Sequence, residues 1–429
     1  MPEMPTREPG HPASPHDAFG GRTATLAARL ALALVVGVLS GLASAAFLVA
    51  MDRATESFVA HRLFLFFLPI AGFAVGLAYH YGGKGSAAGN NLILDEVHEP
   101  QAWIPRRMAG LVFAGTIITH LFGGSAGREG TAIQMAGSIA DGVARRLRIT
   151  GTERRLVLVA SIAAGFSGVF GVPLAGFVFA LEVQALGRLR RVAIVPALVA
   201  AFAADLTVKA TGVTHAVLPD VGAVHLGPVL LAKVLVASAA FGLMSLVFAE
   251  ALHRTKAAFA WLISWPPARP LLGGALVIAA TGVVGTRAYL GLSLPLIGLS
   301  VAGGAGVALG AFALKTAFTA LTLGSGFYGG EVTPLFVVGA TLGATMGHVL
   351  GAPIPLLAAA GLVAVFAGAS NTPIACTVLG IELFGWHPAL ALVFAIACST
   401  SYVCSGSSTI YTSQQRRRWG FTHHAPTAA

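Results

Sequence analysis

Long apolar segments recur along the whole length of the 429-residue chain. A helix that crosses the hydrocarbon core of a bilayer needs about 20 apolar residues. Only 10% of the residues are charged, against about 25% in soluble domains. The chain is therefore predicted to be an all-α polytopic membrane protein. Its apolar segments, the shorter of which are broken by glycine or proline as in half helices, are 25–51, 63–79, 108–122, 156–181, 192–204, 229–248, 271–284, 301–323, 335–350, 356–383 and 388–403.

The net charge of +10 comes from arginines that cluster in short loops. Short loops rich in Lys and Arg stay on the cytoplasmic side of a membrane. A nucleic-acid surface is the alternative explanation, but the loop positions favour a protein whose partner is the lipid bilayer. The clustered residues are Arg106, Arg107, Arg145, Arg146, Arg148, Arg154, Arg155, Arg188, Arg190, Arg191, Arg416, Arg417 and Arg418.

The two ends of the chain differ from its apolar centre. Residues 1–22 contain Pro, Gly and His without periodicity, and predict a disordered cytoplasmic tail. Residues 23–415 predict a single transmembrane domain, and residues 416–429 a basic cytoplasmic tail. The first apolar segment exceeds the roughly 7–15 residues of a signal-peptide core, which favours a multi-pass protein of a bacterial inner membrane. Cys376, Cys398 and Cys404 form no metal or redox pattern.

The chain carries an internal repeat. Segment 168–183 (GVFGVPLAGFVFALEV) aligns with segment 368–383 (GASNTPIACTVLGIEL), so that Glu182 matches Glu382 at an offset of 200. Upstream, Gly-Ser at 124–125 matches Gly-Ser at 324–325, and EGT at 129–131 pairs with EVT at 331–333. Transporters built from inverted repeats show such doubling, with broken helices meeting near the bilayer midplane. We predict two inverted repeats of tilted and broken helices, about 23–205 and 225–415. Glu182 and Glu382, at equivalent places, are expected to be structural.

Three glycine-rich polar turns each precede an apolar helical stretch. They are GGKGSAAGNNLILDEV (82–97), GSAGREGT (124–131) and GSGFYGGEVTP (324–334). Irregular backbone at membrane depth is tolerated only where it faces protein or a water-filled cavity. Helix N-termini present free N–H groups and bind anions, and an Asn amide adds two further donors. The turns therefore predict an anion as the substrate.

The three turns together resemble those of the CLC superfamily of anion channels and proton-coupled anion transporters. GREGT (127–131) is similar to the family's GREGP, whose glutamate gates the anion path; GGEVTP (329–334) stands in place of GGIFAP, and AGNNLI (88–93) in place of GSGIP. The resemblance covers about residues 25–415. It implies a CLC-type fold and a homodimer in which each subunit has its own pathway.

The departures from the chloride pattern resemble the fluoride/proton antiporter branch, CLC-F. Glu331 and Thr333 replace an Ile and an Ala, Asn90 takes the place of the central serine, and Val183 stands where chloride/proton exchangers carry a proton-transfer glutamate. The resemblance implies a fluoride/proton antiporter that exports fluoride and confers fluoride resistance. A chloride channel or chloride/proton exchanger of the same superfamily is the alternative. An enzyme is disfavoured, because the sequence offers no HExxH, Ser/His or Cys ligand set.

The expected site combines two carboxylates with a set of anion donors. Glu129 and Glu331 are expected to gate the path and to transfer protons, and Tyr411 matches the family's central tyrosine. Helix-start or structural roles remain open for Glu331, Thr333, Asn91 and Arg128, while His120, His348 and His387 are expected to be packed or interfacial. Neither catalytic residues nor a metal or other cofactor is expected. The predicted anion-binding residues are Asn90, Asn91, Gly127, Arg128, Gly130, Thr131, Val332, Thr333 and Tyr411.

Overall fold

A computed structural model describes residues 21–83, 85–184, 191–215, 217–222, 224–406 and 408–414. The predicted C-terminal tail and the loop arginines Arg188 and Arg190 lie outside this part of the chain. The predicted N-terminal tail does too, except for its last two residues, which begin the first helix at Gly21.

The described residues form 16 α-helices and no β-strand. The first repeat contains α1 (Gly21–Ala60), α2 (Leu68–Gly82), α3 (Asn90–His98), α4 (Arg107–Leu121), α5 (Glu129–Arg146), α6 (Gly151–Phe170), α7 (Pro173–Glu182) and α8 (Ile194–Ala210). The second contains α9 (Pro228–Leu262), α10 (Arg269–Val284), α11 (Leu294–Val301), α12 (Ala311–Gly324), α13 (Val332–Leu350), α14 (Ile354–Ser370), α15 (Pro373–Phe384) and α16 (Pro388–Cys404). Each helix of the first repeat has a counterpart of similar rank and length in the second, as two inverted repeats require.

Two of the long segments each break into a pair of helices. In segment 156–181, α6 ends at Phe170, its C-cap Gly171 has a left-handed φ of +71°, and α7 starts at Pro173. In segment 356–383, α14 ends at Ser370, its C-cap Asn371 has a φ of +55°, and α15 starts at Pro373. A left-handed residue ends a helix and a proline pre-sets the first turn of the next. The breaks lie 200 residues apart, and each separates a long helix from a short one.

Within the described residues, six helical stretches are long and apolar enough to cross a bilayer. They are Thr25–Ala60, Arg62–Gly82, Arg191–Ala210, Pro228–Leu262, Pro266–Val284 and Val332–Leu350. The first five are at most half buried, whereas α13 is largely enclosed by the rest of the protein. The protein is thus a multi-pass membrane protein with peripheral helices around a buried centre.

The centre is built on close contact between α13 and α14. Gly339 and Gly343, one turn apart on α13, face the α14 backbone so closely that a Cβ on Gly343 would lie 2.0 Å from the Leu357 carbonyl oxygen. Small residues at this spacing let two helix backbones approach in a membrane. Beside this seam, the rings of Phe166, Phe179, Phe336 and Phe366 stack or meet edge to face across the two repeats.

The two repeats cap one another's helices. The Glu182 carboxylate, at the end of α7, accepts the backbone N–H groups of Ile374 and Ala375 in the first turn of α15, at 3.1 and 2.7 Å. Glu382 on α15 does the same for the first turn of α7, accepting the N–H groups of Leu174 and Ala175 at 2.9 and 2.6 Å. A carboxylate at a helix N-terminus satisfies unpaired donors and complements the helix dipole. A structural role is expected for Glu182 and Glu382, and in these contacts each carboxylate caps a helix of the other repeat.

Candidate anion site at two facing helix starts

The glycine-rich turns before α5 and α13 meet head to head. Gly127 and Gly330 form an antiparallel bridge, with N–H···O distances of 2.6 and 2.7 Å. Neither position has room for a side chain: a Cβ on Gly127 would lie 2.9 Å from the Gly330 carbonyl oxygen, and one on Gly330 would lie 2.8 Å from the Gly130 nitrogen. The bridge therefore brings the starts of α5 and α13, one from each repeat, to the same place.

Glu129, the first residue of α5, sends its carboxylate across to the start of α13. Oε2 accepts the backbone N–H of Thr333 at 3.0 Å and that of Arg128 at 3.1 Å. The Thr333 hydroxyl lies 2.5 Å from both carboxylate oxygens. Glu129 is 1% exposed, so the carboxylate is held by protein donors alone. Backbone N–H groups at a helix start together with a hydroxyl are the donors that bind a small anion.

Arg128 provides charge next to this carboxylate without a direct hydrogen bond from its side chain. Its Nε lies 3.7 Å from Glu129 Oε1 and has no hydrogen-bond partner. That separation is too long for a hydrogen bond but short enough for a strong Coulomb interaction in a poorly solvated site. Its backbone N–H, in contrast, is one of the three donors to Glu129.

Asn90 and Glu331 meet beside Gly130. A Cβ on Gly130 would lie 2.9 Å from Asn90 Nδ2 and 3.5 Å from Glu331 Oε2. Glu331 occupies the N-cap position of α13, but its side chain makes no capping hydrogen bond. Asn90 is the first residue of α3, and its Oδ1 is buried without a partner. An amide donor and a second carboxylate thus converge next to Glu129, through contacts that span 40 to 240 residues of sequence.

A small cavity lies on the other side of Asn90. Its volume of about 10 Å³ suits a single particle the size of a water molecule. The buried Tyr411 hydroxyl has no partner, and Tyr411 lines this cavity together with Asn90. The remaining wall is apolar and consists of Ile93, Leu94, Ile133, Ile162, Phe179 and Val183. Val183 therefore stands at the cavity wall, where it has no group that could carry a proton.

Three other residues predicted for the site, Asn91, Thr131 and Val332, lie at or near the starts of α3, α5 and α13. The Asn91 side chain does not cap α3; its Oδ1 accepts the backbone N–H of Ser413 at 3.2 Å, which ties α3 to the segment that carries Tyr411. The Thr131 hydroxyl bonds the Thr116 hydroxyl of α4 at 2.7 Å, a contact between helices. Val332 is fully buried at the start of α13.

The sequence reasoning missed Lys315. It lies on α12, is fully buried, and its Nζ is within 2.8–3.2 Å of the Ser125 and Ser293 hydroxyls and the carbonyl oxygens of Tyr289 and Gly291. Ser125 belongs to the turn that leads to Glu129. The signal was present, because a lysine within the apolar segment 301–323 is an ionisable group inside the membrane.

A family model described as voltage gated chloride channel matches residues 70–406. The chain is 47% identical over 406 residues to a chloride/fluoride channel protein of Pseudomonas syringae pv. tomato, an alignment that covers 92% of this chain and 88% of that relative. It superimposes on the crystal structure of a CLC-type fluoride/proton antiporter with a TM-score of 0.88 and 34% identity, over 93% of this chain and all of the other. A slow cyanobacterial Cl⁻/H⁺ antiporter shares the fold, with a TM-score of 0.78 at 19% identity over 90% of this chain and 96% of that one.

Proposed function

Because the chain belongs to the voltage-gated chloride channel (CLC) family, we propose that it is a fluoride/proton antiporter, which exports fluoride in exchange for protons and confers fluoride resistance. One observation carries the proposal: the Glu129 carboxylate occupies the backbone and hydroxyl donors at the start of α13. A carboxylate and a free anion compete for the same donors, so only one of them is held there at a time.

Competition of this kind couples the two ions. An ionised Glu129 keeps its donors and excludes the anion. When Glu129 takes up a proton it loses its charge, its hydrogen bonds to Thr333 and Arg128 weaken, and an anion replaces it. The site then holds one negative charge in either state, which a poorly solvated centre tolerates better than two or none. Anion movement in one direction thus requires a proton on Glu129.

Glu331 is the second proton carrier in this proposal. Its carboxylate is uncapped and flanks Gly130 together with Asn90. A site for a second proton-transfer group is needed because Val183 cannot act as one. Tyr411, through its buried hydroxyl that lacks a partner, and Asn90, through the Nδ2 amide group beside Gly130, supply donors to the anion.

Fluoride suits this site better than chloride on two grounds. Fluoride is small and strongly hydrated, so replacing its water needs strong donors such as amide N–H and phenol O–H groups, and the cavity holds about one water-sized particle. The solved structure that is 34% identical is of a CLC-type fluoride/proton antiporter, and the name of the 47% identical relative includes both chloride and fluoride. Asn91, Gly127, Gly130, Thr131 and Val332 complete the proposed site by shaping the helix starts around the anion.

The proposal includes a homodimer in a bacterial inner membrane. Leu174 on α7 and Ile374 on α15, which are equivalent in the two repeats, are exposed apolar residues, as are Val195 on α8 and Val403 on α16. Apolar side chains on adjoining helices at the junction of the repeats suit a second copy of the chain. Mass photometry of the protein in lipid nanodiscs would distinguish one copy from two.

Reconstituted liposomes test the transport function. Fluoride and chloride efflux would be followed with ion-selective electrodes, with and without an imposed pH gradient, for the wild type and for Glu129→Gln. We expect an inward proton gradient to drive fluoride uphill, chloride to be nearly excluded, and Glu129→Gln to lose proton coupling.

Two results would contradict the proposal. Chloride flux comparable to fluoride flux would indicate the chloride exchanger or channel instead. Fluoride flux that does not respond to the proton gradient would leave the anion site in place and refute the exchange mechanism.

A further inference from the structure

His120 links α4 to the turn that presents Glu129. It lies near the end of α4 and is 1% exposed. Its Nδ1 is 2.9 Å from the Thr116 carbonyl oxygen on the same helix, and its Nε2 is 3.0 Å from the Ala126 carbonyl oxygen in the turn. Ala126 immediately precedes Gly127, which forms the bridge to Gly330. The imidazole is therefore a direct connection between a membrane helix and the backbone on which the two repeats meet.

Both ring nitrogens face groups that can only accept a hydrogen bond. A neutral imidazole has one N–H donor and one acceptor nitrogen, whereas the imidazolium has two donors. The neutral ring therefore bonds one of the two carbonyls and turns a lone pair towards the other. Only the protonated ring of His120 donates to Thr116 and Ala126 together, so the connection between α4 and the turn gains one hydrogen bond when the ring takes up a proton.

The turn is held from the opposite side by α12. The Ser125 hydroxyl lies 3.1 Å from the Thr319 hydroxyl and accepts a bond from Lys315 Nζ at 2.9 Å. These contacts anchor one residue of the turn, and His120 anchors the next. The His120–Ala126 bond thus holds the residue that lies between Ser125 and the Gly127 bridge.

Two cationic side chains act on the His120 ring. Lys315 on α12 and Arg128 in the turn are the charged groups that act on the ring, while α1 and α2, also packed against α4, add none from their described residues. The Glu129 carboxylate of α5 is turned away towards Thr333. Protonation of the His120 ring is therefore a balance between the cost of a charge in a fully buried site, the repulsion by Lys315 and Arg128, and the hydrogen bonds to two carbonyls.

We propose that His120 is a positioning residue for the fluoride/proton exchange: its protonated ring fixes the Ala126 carbonyl and aligns the turn that carries Glu129, and its neutral ring releases one of the two contacts. This inference rests on the proposed function. His120 itself touches neither the anion nor the transferred proton. Through Ala126, His120 sets how the donors at the start of α5 are oriented towards those at the start of α13.

Transport measurements at a series of external pH values test the inference. His120→Gln keeps a polar side chain but cannot take up a proton, and His387→Gln, at the start of α16 and exposed, is the matched control. We expect wild-type and His387→Gln turnover to fall as the ring of His120 loses its proton. His120→Gln should lack that inflection and, at the acidic end, run about tenfold slower, which corresponds to about 1.4 kcal/mol. A His120→Gln profile that coincides with the wild type overturns the inference.

Solid-state NMR of the wild type gives a readout that needs neither transport nor a variant. Distances between histidine ring ¹⁵N and alanine ¹³C carbonyl nuclei identify the His120–Ala126 pair, and the ring ¹⁵N shifts report its protonation. An imidazolium at acidic pH whose Ala126 contact lengthens on deprotonation supports the inference. A ring that stays neutral throughout, or a contact that does not change, refutes it. If fluoride efflux proves indifferent to protons, the proposed function fails, and the NMR result still decides the role of His120.

Discussion

The hydrogen bond from Thr333 to Glu129 gives the sharpest quantitative test of the site. Replacing Thr333 with Val removes the hydroxyl that lies 2.5 Å from both carboxylate oxygens. It keeps the side-chain shape and the backbone N–H that bonds Oε2 at 3.0 Å. Both residues are at most 2% exposed, so water cannot take the place of the lost donor.

The size of the effect follows from the charge of the acceptor. A hydrogen bond to a charged group contributes about 1.5–3 kcal/mol, and each 1.4 kcal/mol is a factor of about ten in an equilibrium. Thr333→Val should therefore depopulate the state in which Glu129 is bound at α13 by roughly 10- to 100-fold. If the exchange cycle passes through that state, turnover falls by a similar factor. Thr333→Ser keeps the hydroxyl and should stay within about threefold of the wild type.

The assay is proton-driven fluoride efflux from liposomes, with both fluxes recorded to give the coupling ratio. A Glu129→Ala background, which lacks the acceptor, serves as the reference for a double-mutant cycle. In the Glu129→Ala background, Thr333→Val should change the passive fluoride flux by less than about threefold. Equal turnover of Thr333→Val and Thr333→Ser in the wild-type background would refute the reasoning, because the Thr333 bond would then lie outside the cycle.

Three further substitutions test the packing and the proposed donors. Gly343→Ala places a Cβ 2.0 Å from the Leu357 carbonyl oxygen and should destabilise the fold by at least about 1–3 kcal/mol. Thermal denaturation in detergent should show a clear loss of stability for this variant. Gly110→Ala on α4, where a Cβ meets open space, should show no loss. Glu382→Ala leaves the N–H groups of Leu174 and Ala175 on α7 without their acceptor. It should lower the melting temperature more than Glu382→Gln, which keeps one acceptor oxygen. Equal melting temperatures of the two variants would contradict the capping role. Tyr411→Phe removes a buried hydroxyl that has no partner and should weaken fluoride binding by about 3- to 10-fold without altering stability. Calorimetry measures the affinity. An unchanged affinity would exclude the phenol as a ligand.

The sequence determined the class of protein, the doubling of the fold and the position of the central chemistry. Apolar segments with few charges leave helices in a bilayer as the available structure, because backbone polar groups must be satisfied within the membrane. The repeat at an offset of 200 predicts two equivalent halves, and the glycine-rich turns mark where helices start. Glu129 and Glu331 could be singled out since an ionisable residue in such a turn is costly without a function.

Only the tertiary structure decided which groups these residues contact. Glu129 bonds Thr333, 204 residues away, as well as the N–H of Arg128 at the start of its own helix, and Glu182 and Glu382 cap each other's helices across the repeats. The breaks at Gly171 and Asn371 had a local signal, a proline two residues later, but how the short helices that follow them pack was decided by the tertiary structure. Periodicity and composition report the environment of each segment along the chain, whereas these contacts depend on how two distant segments approach in space.

His120 shows most clearly the difference between what the sequence determines and what the tertiary structure decides. In the sequence it is one of several scattered histidines, and its residue type alone favours a packed or interfacial position. Its two ring nitrogens acquire two carbonyl partners only because the turn at Ala126 folds back over the end of α4 and is locked there by the bridge between Gly127 and Gly330. The sequence placed an ionisable ring inside the membrane, and the packing of two repeats determined that it faces two acceptors.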